Sequence, residues 1–496
     1  MGADLTQTYH NVNQRYLANE NEYLKVDSHG LWSLKKLEPK FDATKYIPEL
    51  LSEKKPVLLY ELLSEIDGYT SYSDQFSHHS IKNSKKTTEK KLIYATLMSL
   101  GNNLGHTDLA KASRGIKEKQ LRDTEKLWFT EESLIKANKK IVEFIQKLPL
   151  PSIYNAQDNM IHSSSDGKKV VVAVNSLLAN YSYKYYGKEQ GITVNSFLDE
   201  KQSFFHVNVM TSSDREAPYM MDGLVKSKTS LFHESNLSYL ENSDEIEHKH
   251  STDTHGYTEA IFAGLHFLDV SFAPRIAKIH KQTIYAYEAK SLRKNSKYPI
   301  APNSKINKKL ILDNWNAILR LMTTIKLNYC SASLIFKMLS ASAADSPLYS
   351  ALKELGRLIK SKFILNYLDD EDLRRSITKQ LNKVELGQKL GRAVFYGRSG
   401  HLHVGTSSEI ERVMICKTIL QNSIILWNYL FLSDYYNKLD NDDERRAVSE
   451  MISKGSVIAW KHINMMGIFD FDHDIPNSFN SSIKQMMGLK MIDWDD

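Results

Sequence analysis

The sequence predicts an α/β fold, with a mixed sheet core set between helical N-terminal and C-terminal regions, and three observations carry that expectation. Period-two alternation is confined to the middle of the chain, in Gly191–Leu198 and Ser203–Val209. Apolar residues recur at helical spacing on both sides, from Leu92 to Leu148 and again beyond Lys308. Between them, turn and cap residues divide the chain in the order strand, strand, strand, helix, strand, helix, strand.

Residues 1–91 alternate polar and apolar segments without a clear motif, and the Ser-, His- and Lys-rich stretch from Tyr72 to Lys91 reads as a linker. Helical spacing over 92–150 breaks at Gly101-Asn102-Asn103-Leu104-Gly105 and ends at Pro149 and Pro151, which cannot continue a helix. The sheet core is expected over 151–276. Met160–Ser163 leads as a strand to Asp166-Gly167, which reads as a turn. The two alternating segments flank Asp199-Glu200-Lys201-Gln202 as a hairpin. A helix begins near Pro218, since proline is tolerated in a first turn, and runs to Lys226. Beyond a polar insertion, Ser227–Asp244, Ile246–Ser251 reads as a strand closed by Asp253, and Tyr257–Leu268 as a helix. Phe272–Ile276 reads as a last strand, its Pro274 suggesting an edge position. This order matches the ribonuclease-H-like fold, whose central sheet holds metal-binding carboxylates on its first and fourth strands. Residues 277–369 form a basic strip followed by helices. Residues 370–435 hold a long helix from Asp370 to Tyr396 and a second over 407–435, and 436–496 form a C-terminal helical region with a helix over 442–462.

At 496 residues the chain is too long for one compact core, so several domains are expected. An apolar fraction of 42% excludes global disorder, and a net charge of +6 permits a polyanionic partner without demanding one. Cys330 and Cys416, each in an apolar helical pattern, are too few for a disulfide framework and read as buried thiols in a reducing compartment. No signal segment opens the chain, and its longest apolar run, Ile424-Ile425-Leu426-Trp427, is far too short for a bilayer, so a cytoplasmic protein without a membrane partner is expected.

Three acids stand out. Asp166 and Asp253 close expected strands, and Glu385 lies in the helical run Leu381-Asn382-Lys383-Val384-Glu385-Leu386. Two aspartates at strand ends and a helical glutamate are what a site for two divalent ions on a mixed sheet requires, because Mg²⁺ takes hard oxygen ligands and keeps several waters. Two ions about 3.5–4 Å apart can activate a nucleophile and stabilise a leaving oxygen in phosphoryl transfer. Each acid also has an ordinary role open to it. Asp166 could serve a turn, Asp253 a helix cap, and Glu385 a surface ion pair with Lys389 at i, i+4. His248 and His250 share a strand face near His255, but no cysteine or further His-x-His motif completes a zinc set.

The runs Ser164-Ser165-Asp166-Gly167, Ser251-Thr252-Asp253-Thr254-His255-Gly256-Tyr257-Thr258 and Phe272-Ala273-Pro274-Arg275 resemble those of the Tn-three family of replicative transposases. So do Leu355-Gly356-Arg357, Leu381-Asn382-Lys383, Gly391-Arg392-Ala393-Val394-Phe395, Leu426-Trp427-Asn428 and Trp460-Lys461-His462-Ile463-Asn464, in one order along roughly 92–468. The resemblance implies a DDE domain with a ribonuclease-H-like core and a helical insertion before the catalytic glutamate. It implies Asp166, Asp253 and Glu385 as catalytic, metal-binding residues for two Mg²⁺, with Mn²⁺ as substitute. The family nicks the 3′ ends of its element at terminal inverted repeats and joins them to target DNA, so double-stranded DNA is the implied partner and a dimer on DNA the implied assembly. Val384 stands where the family usually has glycine, and residues 1–91 would be a remnant of an N-terminal half that reads the repeats.

Basic residues dominate the segment after the second aspartate's helix: Arg275, Lys278, Lys281, Lys290, Arg293, Lys294 and Lys297, with Tyr285, Tyr287 and Tyr298 between them. Such a strip suits sequence-neutral contact with a phosphate backbone, or is simply a solvated loop. Lys389 and Arg392 follow Glu385 on its helix, within reach of phosphates near the acids, and His255 lies two residues from Asp253. Trp427 and Trp460, in apolar helical surroundings, read as core aromatics. A DNA-binding remnant without strand transfer, or a structure-directed nuclease, are the competing readings.

Overall fold

The computed structural model describes residues 1–27, 32–37, 46–52, 56–78, 88–155, 160–231, 247–253, 257–293, 298–341, 345–472 and 478–492. The sheet at its centre is built from β1 (Met160–Val172), β2 (Gln190–Leu198), β3 (Phe204–Thr211), β4 (Glu247–Ser251) and β5 (Val270–Phe272). The strand order is β3-β2-β1-β4-β5, with a two-residue strand, Asn180–Tyr181, also on β2. β1 to β2 and β2 to β3 are antiparallel, whereas β1 to β4 and β4 to β5 are parallel. β4 is buried along its inner length, as parallel strands covered on both faces are, so its polar residues must pair internally.

The register decides where the first aspartate sits. The parallel ladder with β4 stops at Ser164 opposite Ser251, while the antiparallel ladder with β2 continues through Asp166 opposite Ser196 to Val172. Asp166-Gly167 is therefore not a turn, as the Asp-Gly signal suggested, but mid-strand, just beyond the end of the parallel pairing. Glycine serves clearance there: a Cβ on Gly167 would lie 2.6 Å from the Glu216 carboxyl carbon. The last strand is Val270–Phe272 rather than Phe272–Ile276, and it is an edge strand as expected. Pro274 cannot donate to a ladder, but the flanking amides of Ala273 and Arg275 donate to His250 O and Thr252 O at 2.8 and 2.9 Å.

The helices that frame the sheet include α1 (Gly2–Leu17), α2 (Leu59–Thr70), α3 (Lys90–Gly101), α4 (Glu131–Lys147), α5 (Glu216–Leu231), α6 (Glu259–Phe267), α7 (Pro347–Asp369), α8 (Glu371–Val394) and α9 (Ser407–Asn437). α9 is buried all round from Val413 to Leu432, mostly through apolar side chains, and is accordingly an interior helix, packed on α2, α3, α4, α8 and β3. Trp427 is fully buried within it, as expected. Two residues read as helical are not. Cys330 lies half-buried between the helices Trp315–Lys326 and Ala332–Ala341, whereas Cys416 is buried on α9. Trp460 follows a helix, Asp442–Lys454, that stops at Gly455 instead of reaching 462. The N-terminal segment packs on the rest: α1 lies against α7, α2 against α9, and Val57–Leu58 pairs with Ile463–Asn464. Instead of a linker from Tyr72, the chain makes a 3-10 turn, Tyr72–Gln75, with Tyr72 fully buried; residues 79–87 of the expected linker lie outside the described ones.

Candidate active site

The C-terminal end of the parallel ladder carries two of the acids, and α8 brings the third over it. α8 is fastened to the sheet by one face. Gln380 Nε2 donates to the carbonyls of Leu198 and Asp199 at 3.4 and 3.1 Å, and Lys383 Nζ to the Glu200 carbonyl at 2.7 Å. Gln388 Nε2 reaches Asp166 O at 3.3 Å, and Gly387 gives the Phe204 ring room to approach. These contacts bury the 199–202 hairpin turn, which the sequence alone placed between two strands without indicating any cover. The opposite face of α8 stays accessible and presents Glu385, Lys389 and Arg392.

Arg275 joins two of the acids. Its Nη2 lies 3.0 Å from Asp253 Oδ1 and 3.7 Å from Glu385 Oε1. Glu385 thus pairs with Arg275, not with Lys389, and the N-cap position of α6 is Thr258, so Asp253 is not its cap. Asp166 is half-buried. Its carboxyl is pushed up to about 6, first by burial and then by the charges of Glu216, Asp253 and Glu385. The structure therefore gathers all three sequence-selected acids and adds a fourth, Glu216, at the start of α5. Glu216 also takes the Lys169 ammonium at 3.3 Å. An acid in a helix's first turn is ordinary, so no local signal marks Glu216. A cleft of about 710 Å³ opens beside these groups, lined among others by Asp166, Glu216, Asp253, Tyr185 and Lys337.

Beneath the acids runs a buried ladder of serines and histidines. Ser163 Oγ lies 2.7 Å from both His248 Nε2 and His250 Nδ1, and Ser165 Oγ is 3.0 Å from His250 Nε2. His162 Nε2 meets Ser251 Oγ at 2.8 Å. Burial pushes His162 and His250 well below the usual imidazole range, so both rings are neutral and serve to pin β1 against β4. His248 and His250 are engaged in this ladder.

Of the residues proposed for DNA contact, Lys389 and Arg392 are exposed on α8, and Lys278 and Lys281 are exposed at the 3-10 turn Ile279–Lys281, which packs on the hairpin strand Trp32–Leu34. Arg275 is half-buried among the acids instead of on an open strip. His255, Lys294 and the side chain of Arg293 lie outside the described residues. Lys168, which the sequence did not single out, is within electrostatic reach of Asp166 and Arg392, and burial and Arg392 lower its ammonium to about 8.

The donor set suits a hard divalent cation: Asp253 and Glu385 already face one cationic centre, and a like-charged neighbourhood surrounds Asp166. Among the described residues, however, no three His, Cys, Asp or Glu side chains are disposed to hold one ion, and the Arg275 guanidinium bridges two of the acids.

Residues 61–469 match the Tn3 transposase DDE domain. The chain is 32% identical, over 94% of its length, to the transposase for transposon Tn1546 of Enterococcus faecium. It is 29% identical over 84% of its length to that for Tn2501 and 28% identical over 84% to that for gamma-delta, both of Escherichia coli. It spans 45% of the first of these relatives and 40% of the other two. Among the described residues no helix is long and apolar enough to cross a membrane.

Proposed function

The chain belongs to the Tn3 transposase DDE-domain family, and from that premise we propose that it carries the strand-cleaving and strand-joining chemistry of a DNA transposase. The sheet is a ribonuclease-H-like core in this reading; its support is the strand order, which sets the first strand beside the fourth and so brings Asp166 and Asp253 together. The observation that carries the proposal is the convergence of Asp253 and Glu385 on one cationic centre, with Asp166 near enough to feel both charges. Two divalent ions, Mg²⁺ or Mn²⁺, held by Asp166, Asp253 and Glu385, would supply activation of the attacking oxygen and charge stabilisation of the leaving one.

The protein's part is positioning. α8 holds Glu385 over the ladder end through Gln380, Lys383 and Gln388, and the serine–histidine ladder keeps the two aspartate-bearing strands in register. Arg275 draws the Asp253 and Glu385 carboxylates toward one point. A water, and then the freed 3′-hydroxyl, would attack a phosphodiester, each displacing a 3′-oxygen. Double-stranded DNA, as transposon ends and target, is the proposed substrate, with a dimer on DNA as the working assembly.

Asp166→Ala, Asp253→Ala and Glu385→Gln are each expected to lower Mg²⁺-dependent nicking and joining of end-bearing DNA by about 10²-fold or more while DNA binding persists. Full activity in one variant removes that residue from the site. A second reading, DNA binding without strand transfer, is favoured by the Arg275 guanidinium standing between two of the acids. Cleavage of the same DNA by the unmodified protein on Mg²⁺ titration excludes it.

A further inference from the structure

Behind the exposed face of α8 lies a group of cations that the chemistry above leaves unused. Lys417, on the interior helix α9, is only 6% exposed. Its stem crosses α8 at Gly391, where a Cβ would lie 2.9 Å from Lys417 Cε and 3.1 Å from Nζ. Its ammonium sits 5.9 Å from the Phe395 ring centroid, and the charge it feels most is that of another cation, Lys168. Lys168 in turn feels Arg392 and, with opposite sign, Asp166. Among the described residues no carboxylate forms an ion pair with Lys168, Lys417 or Arg392. Burial and Lys168 push the Lys417 ammonium down to about 7.

Three cations from three elements, one of them almost fully buried, are costly to assemble when the carboxylate acting on them, Asp166, is itself engaged with the other acids. That cost is offset when an anion is seated among them. The position points to which anion: Lys168 follows Asp166 on the same face of β1, and Arg392 follows Glu385 by seven residues on α8. Seven helical residues span about 10 Å, the rise of about three nucleotides along one DNA strand.

Resting on the transposase reading, we infer that Lys168, Lys417 and Arg392 form a seat for one backbone phosphodiester of a DNA strand, a few nucleotides from the bond being cut. The seat fixes the strand along α8, so that the scissile phosphate meets the acids in register. It reads charge and not base, so it contributes equally to every sequence.

Lys417→Met tests it, because methionine keeps the length and removes the charge, and replacing a buried unpaired ammonium favours the fold. Binding of the full chain to an end-bearing duplex and to an unrelated duplex is measured by anisotropy over a KCl series. The variant is expected to bind both more weakly by a similar factor, with a log–log salt slope shallower by about 1, and Lys417→Arg to restore the slope. Lys168→Gln, on a half-buried strand position, is expected to act likewise and stands in should Lys417→Met fail to fold. Wild-type affinity and slope in a folded Lys417→Met overturn the seat, and with a wild-type protein that still cuts they leave the transposase reading standing. A wild-type protein that neither binds nor cuts either duplex overturns both.

Discussion

Gly167 and Glu216 compete for one volume, since a Cβ at 167 would lie 2.6 Å from the Glu216 carboxyl carbon. Gly167→Ala must push that carboxylate away from Asp166, whose own carboxyl is held high partly by Glu216. The expected result is a loss of cleavage of about 10–100-fold, the scale on which residues supporting a metal site act, with a stability change within about 1 kcal/mol. Wild-type cleavage rates in a folded Gly167→Ala protein would separate Glu216 from the chemistry. Arg275 makes the same point from the other side. Its sequence neighbours advertise a basic strip, yet its guanidinium turns inward to Asp253.

At the scale of elements, the decisive joint is α8 on the β2–β3 hairpin. Gln380 serves two hairpin carbonyls and Ser164, and is itself buried. Gln380→Leu removes the side-chain donor to both carbonyls, while the Gln202 amide still donates to Asp199 O, at a cost of roughly 0.5–1.5 kcal/mol. Urea unfolding is expected to show that loss, and cleavage is expected to fall with it because Glu385 rides on the same helix. Unchanged unfolding and cleavage would mean that Lys383 and Gln388 suffice to dock α8. The sheet joint is similar: the Ser163–His250–Ser165 bonds fix β1 against β4, and a one-residue slip would turn Asp166 to the other face of the sheet.

For the whole molecule, stability rests on α9 and on neutral buried histidines. Asn428 Nδ2 on α9 donates to the carbonyls of Val457 and Ala459 at 2.8 and 2.9 Å, and its Oδ1 meets His462 Nε2 at 2.9 Å. His462 is stacked on Trp427, and burial holds its pKa down to about 4, as it does that of His206. Both folded values lie below the unfolded value of about 6.5, so the unfolded chain binds more protons in between. Stability from these rings is complete above about pH 6.5 and is lost as pH falls toward 4, by a few kcal/mol in all. Urea midpoints measured from pH 7 to pH 4.5 are expected to fall across that window, and to fall less in His462→Gln. A flat profile would show that these rings titrate alike in the folded and the unfolded chain.

By itself the sequence determined the order of strands and helices in the sheet region and the helix that carries Glu385, and it singled out three acids as candidates, because alternation, helical spacing and cap residues are local records of which side of each element is buried. The tertiary structure alone decided that Asp166-Gly167 runs straight through β1, that Glu216 joins the acids, that Arg275 faces inward, and that Lys417 lies buried beside Lys168. Each of these depends on residues distant in the chain meeting in space: Arg275 and Glu385 are brought together by the packing of α8 on the sheet, and no periodicity within either segment encodes that meeting.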